Sequence, residues 1–279
     1  MNDYYDKWNE KKRRDYCLEH SRYAKRLSGL PEDLKLAYLF GDWSVFAGMF
    51  FKKFSLKKQL IKPFYIPQGW NLFGSLDPGY SSPCSFSISA VDYDFNVFRV
   101  ATYYEREKSA PNHAKGVREF IDNLKITNGR MPDRCVADPA AWQKRERYAA
   151  SEDLTTFADH FEDQGIHLEK GVNDRITGWW NMKDFIERKN KDKSPKYYVF
   201  DRYNKPFIDQ MIGTISDTKQ PEDIQGKGRD PDVADHALDE ERYKLMMILE
   251  AIPELVKTEP KWFYEEIQKE DEEHTVMSV

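Results

Sequence analysis

Three aspartates at the ends of apolar segments are the residues of this sequence best placed to do chemistry. Asp77 ends the run NLFGSLD, Asp138 ends RCVAD, and Asp235 lies in the first turn of a helix predicted within PDVADHALDEERY. A lone aspartate in such a place is usually a turn former or a helix cap. His236 and Asp239, however, add two potential ligands beside Asp235 on nearly the same helical face. This cluster makes the aspartates a candidate functional set.

Phosphodiester hydrolysis with divalent cations is the chemistry that such side chains suit. Mg²⁺ and Mn²⁺ prefer carboxylate oxygens, and two ions about 3.5–4 Å apart stabilise both the attacking and the leaving oxygen. Such a site needs at least three carboxylates that converge from different elements, and this sequence supplies that number. For Asp235 alone, a favourable interaction with the helix dipole is an alternative that requires no metal.

The elements that must position these aspartates alternate between strands and helices from about Trp70 onward. Three strands followed by β/α alternation predict an α/β fold: a mixed sheet, with antiparallel first strands and then parallel ones, flanked by helices. Strands are predicted at 71–77, in a hairpin that turns at 94–96, and at 134–139, 167–171 and 196–201; helices at 111–126, 153–165, 174–189, 204–215 and from about 233 to 249.

The segments on either side of this zone have a different character. We predict a helical appendage or linker at 1–57, the sheet domain at 58–252, and an acidic tail at 253–279. Five lysines occur between Phe51 and Pro63 without an acid among them, and this segment is predicted to be a linker or an edge of the sheet.

The composition excludes several classes of protein. Hydrophobic residues make up 40% of the chain and aromatic residues 14%, as in a globular domain, and no apolar run reaches the roughly 18–20 residues of a membrane span. Cys17, Cys84 and Cys135 form no CxxC pair, which excludes a zinc knuckle. The net charge of −5 excludes a uniformly basic surface but permits a local basic groove for nucleic acid.

Four motifs, taken together, resemble a known family. SLDPG contains Asp77, CVADPAAW contains Asp138, DHALDEERY runs from Asp235 to Tyr243, and GDWSVF lies upstream at 41–46. In their order along the chain, the three acidic motifs resemble the C-terminal nuclease domain of the large terminase subunit of tailed phages and prophages. The upstream motif resembles the end of the ATPase domain that precedes it. The resemblance covers roughly residues 20 to 250 and implies an RNase H/RuvC-like fold. Glu240 replaces the small residue usual in the family, and we expect it to loosen the packing of its helix.

The resemblance implies a metal-dependent endonuclease that cuts concatemeric double-stranded DNA during viral genome packaging. In that family pattern, Asp77 bridges two Mg²⁺ or Mn²⁺ ions, and Asp138 and Asp235 each complete the shell of one ion. His236 and Asp239 are the implied nearby groups, either as additional ligands or as residues that orient the ligands. Water is the implied nucleophile, and the 3′ oxygen is the leaving group.

The implied partners are double-stranded DNA, the ATPase half, the portal protein and the small terminase subunit. The implied location is the cytoplasm of the bacterial host, without a membrane. Because the sequence contains no GxxxxGK[ST] loop, we expect no ATPase activity from this chain. Predicted contacts to the DNA backbone, for which a solvated surface is the alternative, are Lys57, Lys58, Lys144, Arg145 and Arg147.

Two other functions stay open on the sequence alone. A resolvase or transposase-type nuclease would share the fold and the acids, although the terminase-like segment before the first strand argues against it. An adaptor without catalytic activity could instead dock on the packaging machinery through its aromatic N-terminal zone. The tandem Trp179 and Trp180 would suit base stacking, but one core and one rim residue is the more common arrangement in an amphipathic helix.

Overall fold

The structure, a computed structural model, describes residue 21 and residues 49–143, 155–225 and 235–257, with side chains described to residue 251 in the last range. The predicted DNA contacts Lys144, Arg145 and Arg147 lie outside the described residues, as do most of the predicted appendage and most of the acidic tail. The domain boundaries at 57/58 and 252/253 therefore stay predictions.

A seven-stranded mixed sheet with the order β1-β7-β4-β3-β2-β5-β6 forms the centre of the fold. Strand β3 is antiparallel to both of its neighbours, and every other pair in the sheet is parallel. The predicted class, an RNase H-like mixed sheet with antiparallel first strands, is confirmed. The strands are β1 (Leu60–Ile61), β2 (Asn71–Asp77), β3 (Cys84–Val91), β4 (Val97–Glu105), β5 (Arg134–Ala137), β6 (Leu168–Lys170) and β7 (Tyr197–Phe200).

Helices cover both faces of this sheet. One face packs on α2 and α3, and the other packs on α4, α5 and α6. None of the described helices is long and apolar enough to cross a membrane. The helices are α1 (Leu56–Gln59), α2 (Ala110–Asn123), α3 (Phe157–Glu162), α4 (Arg175–Glu187), α5 (Lys205–Gly213) and α6 (His236–Lys257), with 3₁₀ turns at Lys125–Thr127 and Pro139–Trp142.

The lysine-rich segment between Phe51 and Pro63 forms an edge of the sheet, which was one of the two predicted alternatives. Its strand β1 pairs in parallel with β7, while Phe51 and Leu56 are buried in the core. The tandem tryptophans also divide as expected. Trp179 is completely buried, whereas 59% of Trp180 is exposed, so the pair contributes one core residue and one rim residue.

Alternation along β2 and β3 sends two different kinds of side chain to the two faces of the sheet. In β3, the apolar Phe86 and Ile88 pack on the α2 side. The intervening residues Ser85, Ser87 and Ser89 must then point towards α6, because successive side chains of a strand alternate between faces. A row of small polar residues therefore lies beneath the helix that carries the candidate motif DHALDEERY.

Helix α6 meets this polar row through charged side chains that are fully buried. Arg99 of β4 forms ion pairs with Glu240 and Glu241, and the Lys244 Nζ atom lies 2.7 Å from Glu241 Oε2. All four side chains have no exposed surface. Burial favours the neutral form of Glu241, but Lys244 and Arg99 outweigh this effect and lower the pKa of that carboxyl. We call these four residues the buried ion network.

Hydroxyl groups complete the bonding of this network. Ser87 Oγ donates to Glu240 Oε2 at 2.7 Å, Ser75 Oγ also donates to that oxygen, and Tyr197 donates to Glu241 Oε1 at 2.9 Å. The expectation that Glu240 loosens its helix is wrong. The small serines leave room for its carboxylate and bond to it, so Glu240 fastens the helix to the sheet.

Replacing Arg99 by methionine should strongly destabilise the protein, since it leaves two buried glutamates with only Lys244 to balance them. Removing one partner of a buried ion pair typically costs about 3–5 kcal/mol. Arg118→Met is a matched control, because the side chains of Arg118 and its partner Asp122 stay 36% and 47% exposed, and pairs in contact with solvent contribute about 1 kcal/mol or less. Urea unfolding of the two variants measures the difference, and equal losses of unfolding free energy would contradict the proposed importance of the network.

Candidate active site

Asp77 and Asp138 are neighbours because the strands that carry them are neighbours. Strands β2 and β5 are parallel, with Leu76 opposite Ala137, and the amide of Asp138 donates to the carbonyl oxygen of Leu76 at 3.0 Å. The two carboxylates therefore lie side by side at the carboxyl-terminal edge of the sheet. In open α/β sheets this edge is where binding sites usually form.

Asp138 is held by two further contacts. Its Oδ1 atom accepts the amide of Ala140 at 2.6 Å, which caps the following 3₁₀ turn, and its Oδ2 atom accepts the hydroxyl of Tyr243. Gly171 makes this second contact possible, since a Cβ atom at that position would lie only 2.6 Å from the Tyr243 ring. Tyr243 belongs to the motif DHALDEERY, but the sequence assigned it no role.

The start of α6 lies against the end of β2. The carbonyl oxygen of Asp235 accepts the amides of Leu238 at 2.9 Å and Asp239 at 2.8 Å, so Asp235 is the N-cap residue immediately before α6. The next residue, His236, places its Nδ1 atom 2.5 Å from Asp77 Oδ2. His236, which is next to Asp235 in the chain, therefore brings the start of α6 into contact with Asp77.

Arg175, at the first position of α4, holds three carboxylates at once. Its Nη2 atom donates to Asp235 Oδ2 at 2.9 Å, its Nη1 atom to both oxygens of Asp239 at 3.0 and 2.8 Å, and its Nε atom to Asp223 at 3.0 Å. Nothing in the spacing of the sequence indicated this residue, because its partners are 48 to 64 positions away along the chain.

Burial and neighbouring acids disfavour the charge of Asp77. Burial is the largest effect and His236 opposes it, but Asp239 and Asp138 add repulsion, and together they raise the pKa of Asp77 from 3.8 to about 7. Burial also works against the charged form of His236, yet the bond to Asp77 and the charge of that carboxylate outweigh it and raise the His236 pKa. The pair of side chains therefore keeps a proton to a higher pH than the isolated side chains would.

The donor atoms at the end of β2 suit a hard divalent cation. Within the described ranges no three His, Cys, Asp or Glu side chains are already arranged to hold a metal ion. Asp77 and Asp138 nevertheless offer carboxylate oxygens side by side, and their repulsion is the kind that a cation relieves. Ser85, opposite Asp77 in β3, adds a buried hydroxyl that lacks a hydrogen-bond partner in the described part of the chain. These oxygen donors fit Mg²⁺ or Mn²⁺.

Comparison with solved structures identifies the fold that carries these residues. The large terminase of the thermophilic bacteriophage D6E matches with a TM-score of 0.53 and 18% identity, covering 87% of this chain and 53% of that protein. The nuclease domain of the P22 large terminase matches with the same TM-score and 15% identity, covering 72% of this chain and 92% of that domain. The chain has a large-terminase nuclease fold. A scan of family models and a search of curated proteins gave no match.

This terminase-type domain spans about half the length of the D6E protein and nearly the whole P22 nuclease domain. At identities below 20%, the comparison establishes the fold and leaves the roles of individual residues to the geometry of this chain. The assignment of metal ligands therefore stays a prediction for all five candidates, and the contacts above support some of them more than others. The candidates are Asp77, Asp138, Asp235, His236 and Asp239.

Exposed cations lie along the same edge of the terminase-type sheet as the two aspartates. Lys170 ends β6 on one side of the pair, and Arg106 follows β4 on the other side. Arg202 and Lys62 follow β7 and β1, which end near the level of Val100 and are therefore set back from the level of Asp77. The predicted DNA contacts Lys57 and Lys58 belong to α1, before β1, and therefore lie towards the opposite edge. The structure does not bring these two lysines together with the acids.

A cavity of about 310 Å³ opens directly beside the acids. Its wall includes Tyr80, three residues after Asp77, and Gln143, five residues after Asp138. Lys108, Phe157 and His160 also line this wall. The cavity thus combines aromatic, cationic and polar side chains next to the candidate metal ligands.

Replacing Asp77 by asparagine should stabilise the protein above neutral pH. With the Asp77 pKa raised to about 7, the unfolded chain loses this proton near pH 4 while the folded chain keeps it, and wild-type stability falls across that interval. Asparagine removes this loss. We expect the unfolding free energy of the variant, relative to wild type, to rise by on the order of 1–3 kcal/mol between pH 4 and pH 8. Urea titrations across this range measure the change.

Asp163→Asn is the matched control, because Asp163 is an exposed aspartate away from the acid pair. Its stability should follow that of wild type at every pH. An identical pH dependence in wild type and Asp77→Asn would show that burial does not perturb Asp77.

Proposed function

We propose that this chain is a metal-dependent DNA endonuclease of the terminase type. The observation that carries the proposal is the placement of Asp77 and Asp138 at the adjacent ends of β2 and β5, with the start of α6 against Asp77. The terminase nuclease fold supports the same assignment. A sheet edge that collects carboxylates between exposed cations suits a phosphodiester substrate.

In this proposal Asp77, Asp138 and Asp235 hold two Mg²⁺ or Mn²⁺ ions. When bound, these cations would lower the pKa of a water molecule and neutralise charge that develops on the phosphate. The chain's own residues orient the acids. His236 holds Asp77 at Oδ2, Tyr243 holds Asp138 at Oδ2, and Arg175 holds Asp235 at Oδ2. His236, near Asp77, is also placed to hold a proton at Nδ1.

We propose that the exposed cations mark a path for the DNA backbone. Neighbouring strands are about 4.8 Å apart, so the edge from Lys170 past the acids to Arg106 spans roughly 20 Å. Phosphates of one DNA strand are about 3.4 Å apart along the helix axis, and several would fit along this length. Contacts of this kind grip the backbone and carry no direct sequence information, which is consistent with low sequence selectivity.

The biological setting is proposed from the same fold. The D6E large terminase is about twice as long as the part matched by this chain. We propose that the domain works with an ATPase half, the portal protein and the small terminase subunit, cutting concatemeric DNA in the cytoplasm of the bacterial host. A resolvase-type nuclease would use the same acids on branched DNA, and an adaptor would cut nothing. Linear, branched and supercoiled substrates distinguish these alternatives.

Cleavage of supercoiled plasmid DNA should require both a divalent cation and Asp77. We expect nicking and linearisation with Mg²⁺ or Mn²⁺, none with EDTA, and at least about a hundredfold slower cleavage by Asp77→Asn, because its amide replaces a charged ligand. Asp163→Asn should cut at the wild-type rate. Equal rates for Asp77→Asn and wild type with Mn²⁺ would exclude the proposed site.

Binding of duplex DNA should depend steeply on salt through the cations beside the acids. Each neutralised phosphate contributes about 0.9 to the slope of log affinity against log salt. We expect Lys170→Gln and Arg106→Gln each to lower the slope by about that amount. Lys57→Gln and Lys58→Gln are comparators at the opposite edge of the sheet. Fluorescence anisotropy measures the slopes, and a decrease confined to the two comparators would place the DNA on the other edge.

A further inference from the structure

The cluster around Arg175 bears on how the third acid of the proposed site is held. Arg175 is only 16% exposed, and it contacts Asp223, Asp235 and Asp239, whose side chains are 3%, 14% and 15% exposed. Its guanidinium also lies 5.1 Å from the centre of the Trp179 ring. A planar group with five donors in a fixed fork is the side chain that can satisfy several carboxylates in one geometry.

Asp223 anchors the guanidinium of Arg175 in this position. Its Oδ1 atom accepts Arg175 Nε at 3.0 Å, Trp179 Nε1 at 2.9 Å and the amide of Ile224 at 2.9 Å. If Arg175 moved away, this almost completely buried carboxylate would lose its ion pair with the guanidinium, and breaking a buried ion pair is strongly unfavourable. Arg175 is therefore a fixed part of the structure, and a metal ion would have to bind with the arginine in place.

With Arg175 fixed, the two acids at the start of α6 differ in what they can offer. Asp239 has both oxygens occupied, Oδ1 by Arg175 and by Arg242 at 3.2 Å, and Oδ2 by Arg175 at 2.8 Å. Asp235 is bonded to Arg175 through Oδ2 alone in the described part of the chain. Arg175 therefore fixes the orientation of the Asp235 carboxylate but leaves the Oδ1 atom free of a bond to the arginine.

We propose that Arg175 is the positioning residue of the third acid: it fixes Asp235 through one carboxylate oxygen and removes Asp239 from the metal-ligand set. The inference rests on the proposed function and deepens it. Of the two roles that the sequence left open for Asp239, metal ligand or orienting group, it assigns the second. It also adds a residue that holds a ligand without touching the substrate or the metal.

Binding of Mn²⁺ to the purified chain, followed by the loss of the free-ion electron paramagnetic resonance signal, tests this inference without any cleavage assay. Replacing a group that orients a metal ligand typically weakens metal binding by roughly 10- to 100-fold. We expect that loss for Arg175→Gln and also for Arg175→Lys, because lysine keeps the charge but lacks the fork. Asp235→Asn should weaken binding at least as much, whereas Asp239→Asn should stay within about threefold of wild type.

Each alternative gives a different pattern of affinities. If Arg175 acted only by its charge, Arg175→Gln would bind Mn²⁺ more tightly and Arg175→Lys would match wild type, and the inference would be overturned. It would also be overturned by unchanged affinity in both variants, or by equal losses in Asp239→Asn and Asp235→Asn. If wild type bound Mn²⁺ no better than Asp77→Asn does, the proposed function would fail and the inference with it.

Two further variants separate positioning from loss of fold. Asp223→Asn leaves Arg175, Asp235 and Asp239 unchanged but weakens the anchor of the arginine, and we expect a smaller loss of Mn²⁺ affinity of the same sign. Arg134→Gln removes a bidentate pair with Glu169 on the surface, and its Mn²⁺ affinity should equal that of wild type. Thermal melts with EDTA establish that each variant is folded, and normal Mn²⁺ binding by a folded Asp223→Asn would contradict the role of the anchor.

Discussion

The buried ion network between α6 and the sheet is the constraint on which the candidate site depends. His236, Glu240 and Lys244 are spaced four residues apart, so they share one face of the helix. Arg99, Ser75 and Ser87 bind the second and third members of this row, through Glu240 and Lys244. Because these bonds have directional geometry, they fix both the rotation and the axial position of α6. With the helix fixed in this way, the first member of the row, His236, contacts Asp77.

This network also marks the limit of what the sequence could predict. The fold class followed from strands of period two alternating with helices. The family resemblance implied that Asp77 and Asp138 act together, and they lie together because β2 and β5 are parallel and end at one edge of the sheet. Glu240, Glu241 and Lys244 instead have the pattern of a solvated helical face, since charged residues are rarely buried. Their burial depends on serines from β2 and β3 and on an arginine from β4, about 140 positions away.

The third acid illustrates the same limit on a smaller scale. The sequence places Asp235 at a helix start, where a dipole interaction alone would explain it. Its orientation is set by Arg175, and the position of Arg175 depends on Asp223 and on packing between α4 and α6. Gly178 is part of that packing, because a Cβ atom there would lie 2.4 Å from Arg242. No local pattern encodes such a chain of contacts, so proximity in the sequence made Asp239 look equivalent to Asp235.

The structure distributes charge unequally among the acids of the site. Asp223, Asp235 and Asp239 face fixed arginines, which offset their repulsion within the protein itself. Asp77 and Asp138 are held by a histidine and a tyrosine, and neither supplies a permanent positive charge. The acids that lack a permanent counter-charge in the described part of the chain therefore lie at the ends of β2 and β5. Under the proposed function, this is where a cation gains most from binding, while the arginines let the fold tolerate the remaining acids without one.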